Sequence, residues 1–286
     1  MIPRDFRGNL RVVDKPSYTS RRGLLNLIIG GIAGLGLRPA QAESIDILGL
    51  SPPESATVTA VIDGDTLQLS DGTLLRLSGI EAPKPDLAPG DAAMARLAKD
   101  AAAALKALVG AQTIVLRMDA GKRDRYGRRL AQAFNGAGDW LQGALVLSGH
   151  ARVRGDARNR RGLRNLLQLE VRARNGAQGI WRHPAFAVRR AGDPELGRFA
   201  GSFQIIEGQV FAAAIVGGIG YINFSPDRAT DLTLVLKKPA LDLCYHAMFD
   251  VTALTSKPIR CRGWLDLFDG PRIDISHPEQ IEPLET

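Results

Sequence analysis

Ala56-Thr57-Val58-Thr59-Ala60-Val61-Ile62-Asp63-Gly64-Asp65-Thr66-Leu67-Gln68-Leu69-Ser70, followed by Asp71-Gly72 and then Thr73-Leu74-Leu75-Arg76-Leu77, is the stretch from which the fold is read. It is rich in β-branched residues, and Asp-Gly between two such runs is a strong hairpin signal. The pattern predicts one arm over 56–70 and a second over 73–77. A fold about Asp71-Gly72 sets positions 65 and 78 roughly opposite each other, which gathers Asp65, Arg76 and Glu81 at one end of the ladder.

Downstream, Asp91 to Val109 is rich in Ala and Leu without Pro and is closed by Gly110, which predicts a helix; Gln112 to Met118 returns to strand character. Gly121 to Arg129 is a charged loop leading into a strand at Leu130 to Phe134. Asp139 is the expected N-cap of a helix running to Leu147, with Gly149 as its terminator. Arg161 to Arg174 carries Leu163, Leu166, Leu167 and Val171 at helical spacing on one face. The order is a β-meander, a helix, more strands and two further helices. Residues 187–200 read as a linker, and Ser202 to Ile215, Tyr221 to Phe224, Leu232 to Leu236, Ile259 to Leu267 and Ile273 to Ile275 as short strands of a small β-rich module over 201–286. Its strands resemble those of an OB-type barrel.

Upstream, Ser20-Arg21-Arg22-Gly23-Leu24-Leu25 opens an uncharged stretch to Leu37, and Ala40-Gln41-Ala42 is a small-x-small cleavage pattern. Residues 1–42 therefore read as a signal of the twin-arginine type, with the expected cut after Ala42 and a periplasmic or secreted mature chain. About 14 apolar residues fall short of the ~20 that a spanning helix needs. The formal charge of +7 divides by region: seven Lys/Arg against two Asp/Glu in residues 1–42, 20 against 15 in 43–186, and 10 against 13 in 187–286. With 45% hydrophobic and 23% charged residues, the 286-residue chain is neither disordered nor collagen-like. Cys244 and Cys261, the two cysteines, rule out a disulfide-dense scaffold and a Cys-x-x-Cys zinc site.

Two or three carboxylates with backbone oxygens suit a hard cation such as calcium, which holds and polarises a phosphate oxygen. Asp63-Gly64-Asp65-Thr66 with Glu81 offers such a set, although the tetrapeptide alone is equally a polar turn with a solvated Asp. Arg76, inside the apolar arm Leu74-Leu75-Arg76-Leu77, is harder to explain without a partner.

Together, Val61-Ile62-Asp63-Gly64-Asp65-Thr66, Leu75-Arg76-Leu77-Ser78-Gly79-Ile80-Glu81-Ala82-Pro83 and Asp124-Arg125-Tyr126-Gly127-Arg128-Arg129-Leu130 closely resemble the staphylococcal nuclease (thermonuclease) family over about residues 55–186, and Gly179-Ile180-Trp181 resembles the family's ending. The resemblance implies an OB-like five-stranded β-barrel with helices, an α+β arrangement, spanning a domain of residues 43–186. It further implies calcium-dependent hydrolysis of phosphodiester bonds in DNA or RNA. By position, Asp65, Glu81 and the Ala82 carbonyl correspond to calcium ligands, with Asp63 in support, and Arg76 and Arg128 to the phosphate clamp. Two guanidiniums and a dication oppose the charge that builds on phosphorus. Tyr126 and Arg125 stand beside Arg128 as candidate substrate contacts.

One departure decides how much of this chemistry carries over. The family's general base is a Glu after the Pro, and here that position is Lys84. A lysine is protonated at neutral pH and takes no proton from water, and loss of a positioned base forfeits roughly a hundred- to ten-thousandfold in rate. Asp86 is the nearest substitute base. Two readings stand: a nuclease with reduced or lost turnover, and a noncatalytic phosphodiester-binding module or envelope interaction module whose tail meets a protein partner. Nine arginines between Arg152 and Arg182 form either a phosphate track or a solvated helix and loop surface.

Overall fold

The computed structural model describes residues 49–227 and 231–284, and the signal-like stretch 1–42 lies outside them. The predicted first arm is two strands. β1 (Glu54–Asp63) and β2 (Thr66–Leu69) pair antiparallel around Gly64-Asp65, and β3 (Leu74–Leu77) follows. Asp63-Gly64 is itself an Asp-Gly turn signal, so the motif that lay on one arm in the sequence reading sits instead at a hairpin tip. The second turn differs by one residue. Leu69 N–H bonds to the Thr73 carbonyl across Ser70-Asp71-Gly72, with Gly72 at φ 79°. This three-residue loop places Thr66 opposite Arg76.

α1 (Ala92–Val109) begins where the Asp91 carboxylate accepts from Ala93 N–H (2.8 Å) and Met94 N–H (3.2 Å), and stops at Gly110. β5 (Thr113–Arg117) and β6 (Arg129–Phe134) complete a closed barrel in the order β1-β2-β3-β6-β5. Its alternate positions Leu67, Leu75, Leu77, Ile114 and Leu116 are completely buried, each contributing roughly 1.5–3 kcal/mol. α2 (Leu141–Leu147) starts after Trp140, while Asp139 pairs with Asn135 instead of capping it. After β4 (Ile80–Glu81), the chain returns to pair it with β7 (Arg152–Val153), and α3 (Leu163–Asn175) packs its leucines on the same core. Trp140 is buried and donates to Gln132 Oε1 (2.9 Å), which fixes it as a packing residue.

The tail forms a second sheet with its own core. Its strands are β8 (Arg189–Arg190), β9 (Ser202–Gln209), β10 (Ala212–Val216), β11 (Ile219–Asn223), β12 (Thr233–Leu236), β13 (Pro258–Leu267), β14 (Pro271–Ile275) and β15 (Ile281–Pro283). The order is β10-β11-β12-β14-β13-β9-β8, with β15 on β13; it is a curled, open sheet rather than a second closed barrel. The stretch read as a linker supplies β8 and buries Leu196. α4 (Lys238–His246), with Pro239 in its first turn, packs against β11 and β12 through Ala240 and Cys244 and had no periodic signature strong enough to announce it. Cys244 and Cys261 are buried and unbridged, and burial pushes their thiols up to about 11 and about 12.

The two β-layers are joined by buried charge. Arg262, on β13, pairs with Glu170 of α3 (2.7 Å) and with Glu282 of β15 (2.6 Å). Arg160 grips Glu279 through Nε (2.8 Å) and Nη2 (2.7 Å). The arginine run is thus partly consumed by structural ion pairs.

Candidate functional site

At the β1–β2 tip, Asp63 Oδ1 accepts from Asp65 N–H (2.9 Å), an Asx-type closure that turns the Asp65 side chain inward. Gly64 is required by crowding, since a Cβ there would lie 2.6 Å from the Ala101 Cβ and 2.7 Å from the Ala82 Cβ. Asp65 is completely buried. Its Oδ2 accepts from Ala82 N–H (2.7 Å) and lies 3.2 Å from Arg76 Nη2; its Oδ1 accepts from Thr66 Oγ1 (3.0 Å) and from Lys84 Nζ (3.0 Å). Lys84 Nζ also donates to Asp63 Oδ2 (2.7 Å), so one ammonium bridges the two aspartates. Burial alone would push the Asp65 carboxyl up, but the Arg76 and Lys84 charges and the hydrogen bonds it accepts hold it down at about 2.

Arg76 is fixed by its own backbone surroundings as well. Nη1 donates to the Leu77 carbonyl (2.9 Å) and Nη2 to the Ile80 carbonyl (2.8 Å). Ala82, matched by position to a carbonyl ligand, meets Asp65 through its N–H.

Glu81 is placed elsewhere. β4–β7 pairing sets it opposite Arg152, whose Nε (2.8 Å) and Nη2 (2.5 Å) both reach Glu81 Oε2, while Arg154 holds Oε1. Burial opposes ionisation of Glu81, but the Arg152 and Arg154 charges outweigh it and the carboxyl sits below its ordinary range. Arg152 is itself buried, donating to the Phe203 carbonyl (3.1 Å) with its guanidinium 4.7 Å from the Phe203 ring. Nothing near Glu81 in sequence announces these partners, which lie more than 70 residues away. Asp86 lies exposed in a 3-10 turn, Pro85–Leu87, and forms no ion pair with Lys84 or Arg76.

Arg128 stands on the other side of Thr66. Its Nε donates to Asp124 Oδ2 (2.7 Å) and its Nη1 reaches Thr66 Oγ1 at 3.4 Å. Tyr126, 67% exposed, lies under two guanidiniums, Arg125 at 4.8 Å and Arg128 at 5.4 Å from the ring centroid. The arrangement presents an exposed aromatic ring and the exposed Arg125 guanidinium beside a half-buried Arg128 that is paired with Asp124, a set suited to a phosphate and an adjoining base or sugar.

Calcium does not fit the residues as they stand. A dication needs unclaimed carboxylate oxygens, and here Lys84 and Arg76 already neutralise Asp63 and Asp65, while Glu81 is neutralised by Arg152 and Arg154. Among the described residues no group of three or more His, Cys, Asp or Glu side chains is placed to hold a metal ion. The two carboxylates that the resemblance assigns to calcium are each held by cationic side chains, Asp65 by Arg76 and Lys84 and Glu81 by Arg152 and Arg154.

The family model for staphylococcal nuclease homologues matches residues 74–183, a span that includes Arg76, Glu81, Lys84 and Arg128. No curated protein matches the chain. With the closed five-strand barrel, the match makes this region a staphylococcal-nuclease-like domain, to which the second sheet is an addition.

Proposed function

We propose that the protein binds DNA or RNA through the mouth of its nuclease-like barrel and that its calcium-dependent phosphodiester hydrolysis is disabled. The observation that carries this reading is Lys84 Nζ, 2.7 Å from Asp63 and 3.0 Å from Asp65, standing as a built-in cation between carboxylates that a metal would otherwise use. Arg128, Arg125 and Tyr126 supply the contacts for a phosphate and its neighbour. The family match supports nucleic acid as the ligand class.

A calcium-dependent nuclease is the competing reading, and the family match favours it. It requires Lys84 to leave the aspartates and Glu81 to leave two arginines before a metal enters. The deciding experiment measures binding and cleavage of single-stranded DNA and RNA by the purified protein, in calcium and in chelator, beside Lys84→Glu and Arg128→Ala. The proposed function expects equal affinity in calcium and chelator, no calcium-stimulated cleavage, and weaker binding by Arg128→Ala. Calcium-stimulated cleavage by the wild-type protein contradicts it.

Export belongs to the same proposal and rests on residues 20–42. Loss of the mature chain from the periplasmic fraction on replacing Arg21 and Arg22 with lysine tests it. Among the described residues no helix is long and apolar enough to cross a membrane. A protein partner for the tail remains part of the proposal and is tested by cross-linking in the envelope fraction.

A further inference from the structure

We infer that the second sheet carries a base-stacking groove for single-stranded nucleic acid, built from Trp264, Phe268, Arg154 and Arg272. This rests on the nucleic-acid binding proposed above and adds a surface whose aromatic residues lie outside the region that matches the family model, with Arg154 contributed from within it. The groove has a volume of about 460 Å³. Its floor follows from strand periodicity: on β13 and β14, Leu265, Ile273 and Ile275 point into the core, so Trp264, Asp266, Arg272 and Asp274 line the opposite face. Phe268 follows at the strand end.

Two large aromatic side chains are thereby left open on one face, Trp264 at 49% and Phe268 at 70% exposure. Phe268 lies four positions beyond Trp264, roughly 13 Å of extended chain, so each ring can take a separate base. Both carry a guanidinium: Arg154 lies 5.1 Å from the Trp264 ring centroid and Arg272 lies 5.2 Å from that of Phe268. Exposed aromatic faces with arginines beside them are the elements of a single-strand stacking platform.

The groove joins the barrel site through one side chain. Arg154 touches Trp264 on one side and is ion-paired with Glu81 on the other, and Glu81 immediately precedes Ala82, whose N–H holds Asp65. The two surfaces differ in charge. Arg272 is balanced by Asp274, its Nε bonded to Asp274 Oδ1 at 2.7 Å, Arg154 is balanced by Glu81, and Asp266 adds a further negative charge to the groove lining. Stacking, not phosphate neutralisation, supplies affinity there, and counterion release is small.

The test is a fluorescence-anisotropy titration of dye-labelled short oligothymidylate, and of an abasic strand of equal length, with the full protein at several salt concentrations, followed in the wild type by tryptophan emission as well. The wild type, Trp264→Ala, Phe268→Ala and Arg128→Ala are compared. Tryptophan emission is expected to be quenched in the wild type. Each aromatic variant is expected to bind oligothymidylate about tenfold more weakly with the wild-type salt slope, and the abasic strand as the wild type does. Phe268→Ala leaves the Trp264–Arg154 contact in place and serves as the second variant. If both aromatic variants bind like the wild type while Arg128→Ala loses affinity and salt slope, the groove is overturned and the barrel-mouth reading stands. If the wild type binds neither strand at low salt, both readings fall. Quenching by chitin oligosaccharide in place of oligothymidylate assigns the groove to a saccharide and also overturns the inference.

Discussion

Replacing Lys84 with methionine removes the bridging ammonium while keeping most of the side chain's volume. Asp65, completely buried, then retains Arg76 at 3.2 Å as its one cationic partner, and Asp63 loses its partner. Breaking a fully buried pair costs about 3–5 kcal/mol, and an exposed pair contributes about 0–1 kcal/mol. The Lys84 side chain is 32% exposed and Arg76 remains, so the expected loss is about 1–2 kcal/mol. At about 2–4 °C per kcal/mol for a chain of this size class, the melting temperature should fall by about 2–8 °C. The assay is thermal unfolding at neutral pH with and without calcium. Removing the ammonium frees oxygens on Asp63 and Asp65, so calcium should stabilise the variant and leave the wild type unmoved. With a dissociation constant of about 1 mM and about 10 mM calcium, the recovery is about 1.4 kcal/mol. The reasoning is refuted if Lys84→Met melts with the wild type, or if calcium raises the wild-type melting temperature as much as the variant's.

Arg262→Ala leaves Glu170 and Glu282 without their shared cation at the junction between α3 and the second sheet, and should cost about 3–5 kcal/mol in denaturant unfolding. Glu279 is held down at about 2: burial opposes its charge, but the hydrogen bonds from His277 and Arg160 and the Arg160 charge outweigh the burial. Its contribution to stability is therefore complete above its ordinary value of 4.5 and is lost as pH falls toward about 2; Glu279→Gln should flatten that part of the acid unfolding curve. Gly64→Val should destabilise strongly, since its side chain would enter the space of Ala101 and Ala82, with circular dichroism melting as the readout.

The barrel's individual elements were legible because their signals are local, while its closure into five strands was implied by the resemblance to the nuclease family. Alternation over 56–77, the helix from Asp91 to Gly110, and the leucine spacing of α3 each specify an element from neighbouring residues. The one-residue difference in hairpin register came from a three-residue loop where Asp71-Gly72 alone implied two, and the extra turn at Gly64-Asp65 was masked by continuous β-forming residues around it. Asp65, Arg76 and Arg128 were found as residues and are brought near Thr66 in the structure. The state of their neighbours was not legible. Glu81 meets Arg152 and Arg154 only through pairing between β4 and β7, and whether Lys84 points to solvent or to Asp63 depends on the geometry of a turn 20 residues upstream. Long-range charge partners have no spacing rule in sequence. The second sheet was under-read for a related reason: β8 and β15 are short strands that exist because β9 and β13 offer them an edge.

Calorimetric titration of calcium into the wild-type protein and into Lys84→Glu tests the central claim most directly. The account predicts no saturable heat for the wild type up to about 10 mM calcium and a measurable binding isotherm for the variant, which exchanges the occupying ammonium for a further carboxylate. One equivalent of calcium taken up by the wild type below about 1 mM would contradict it.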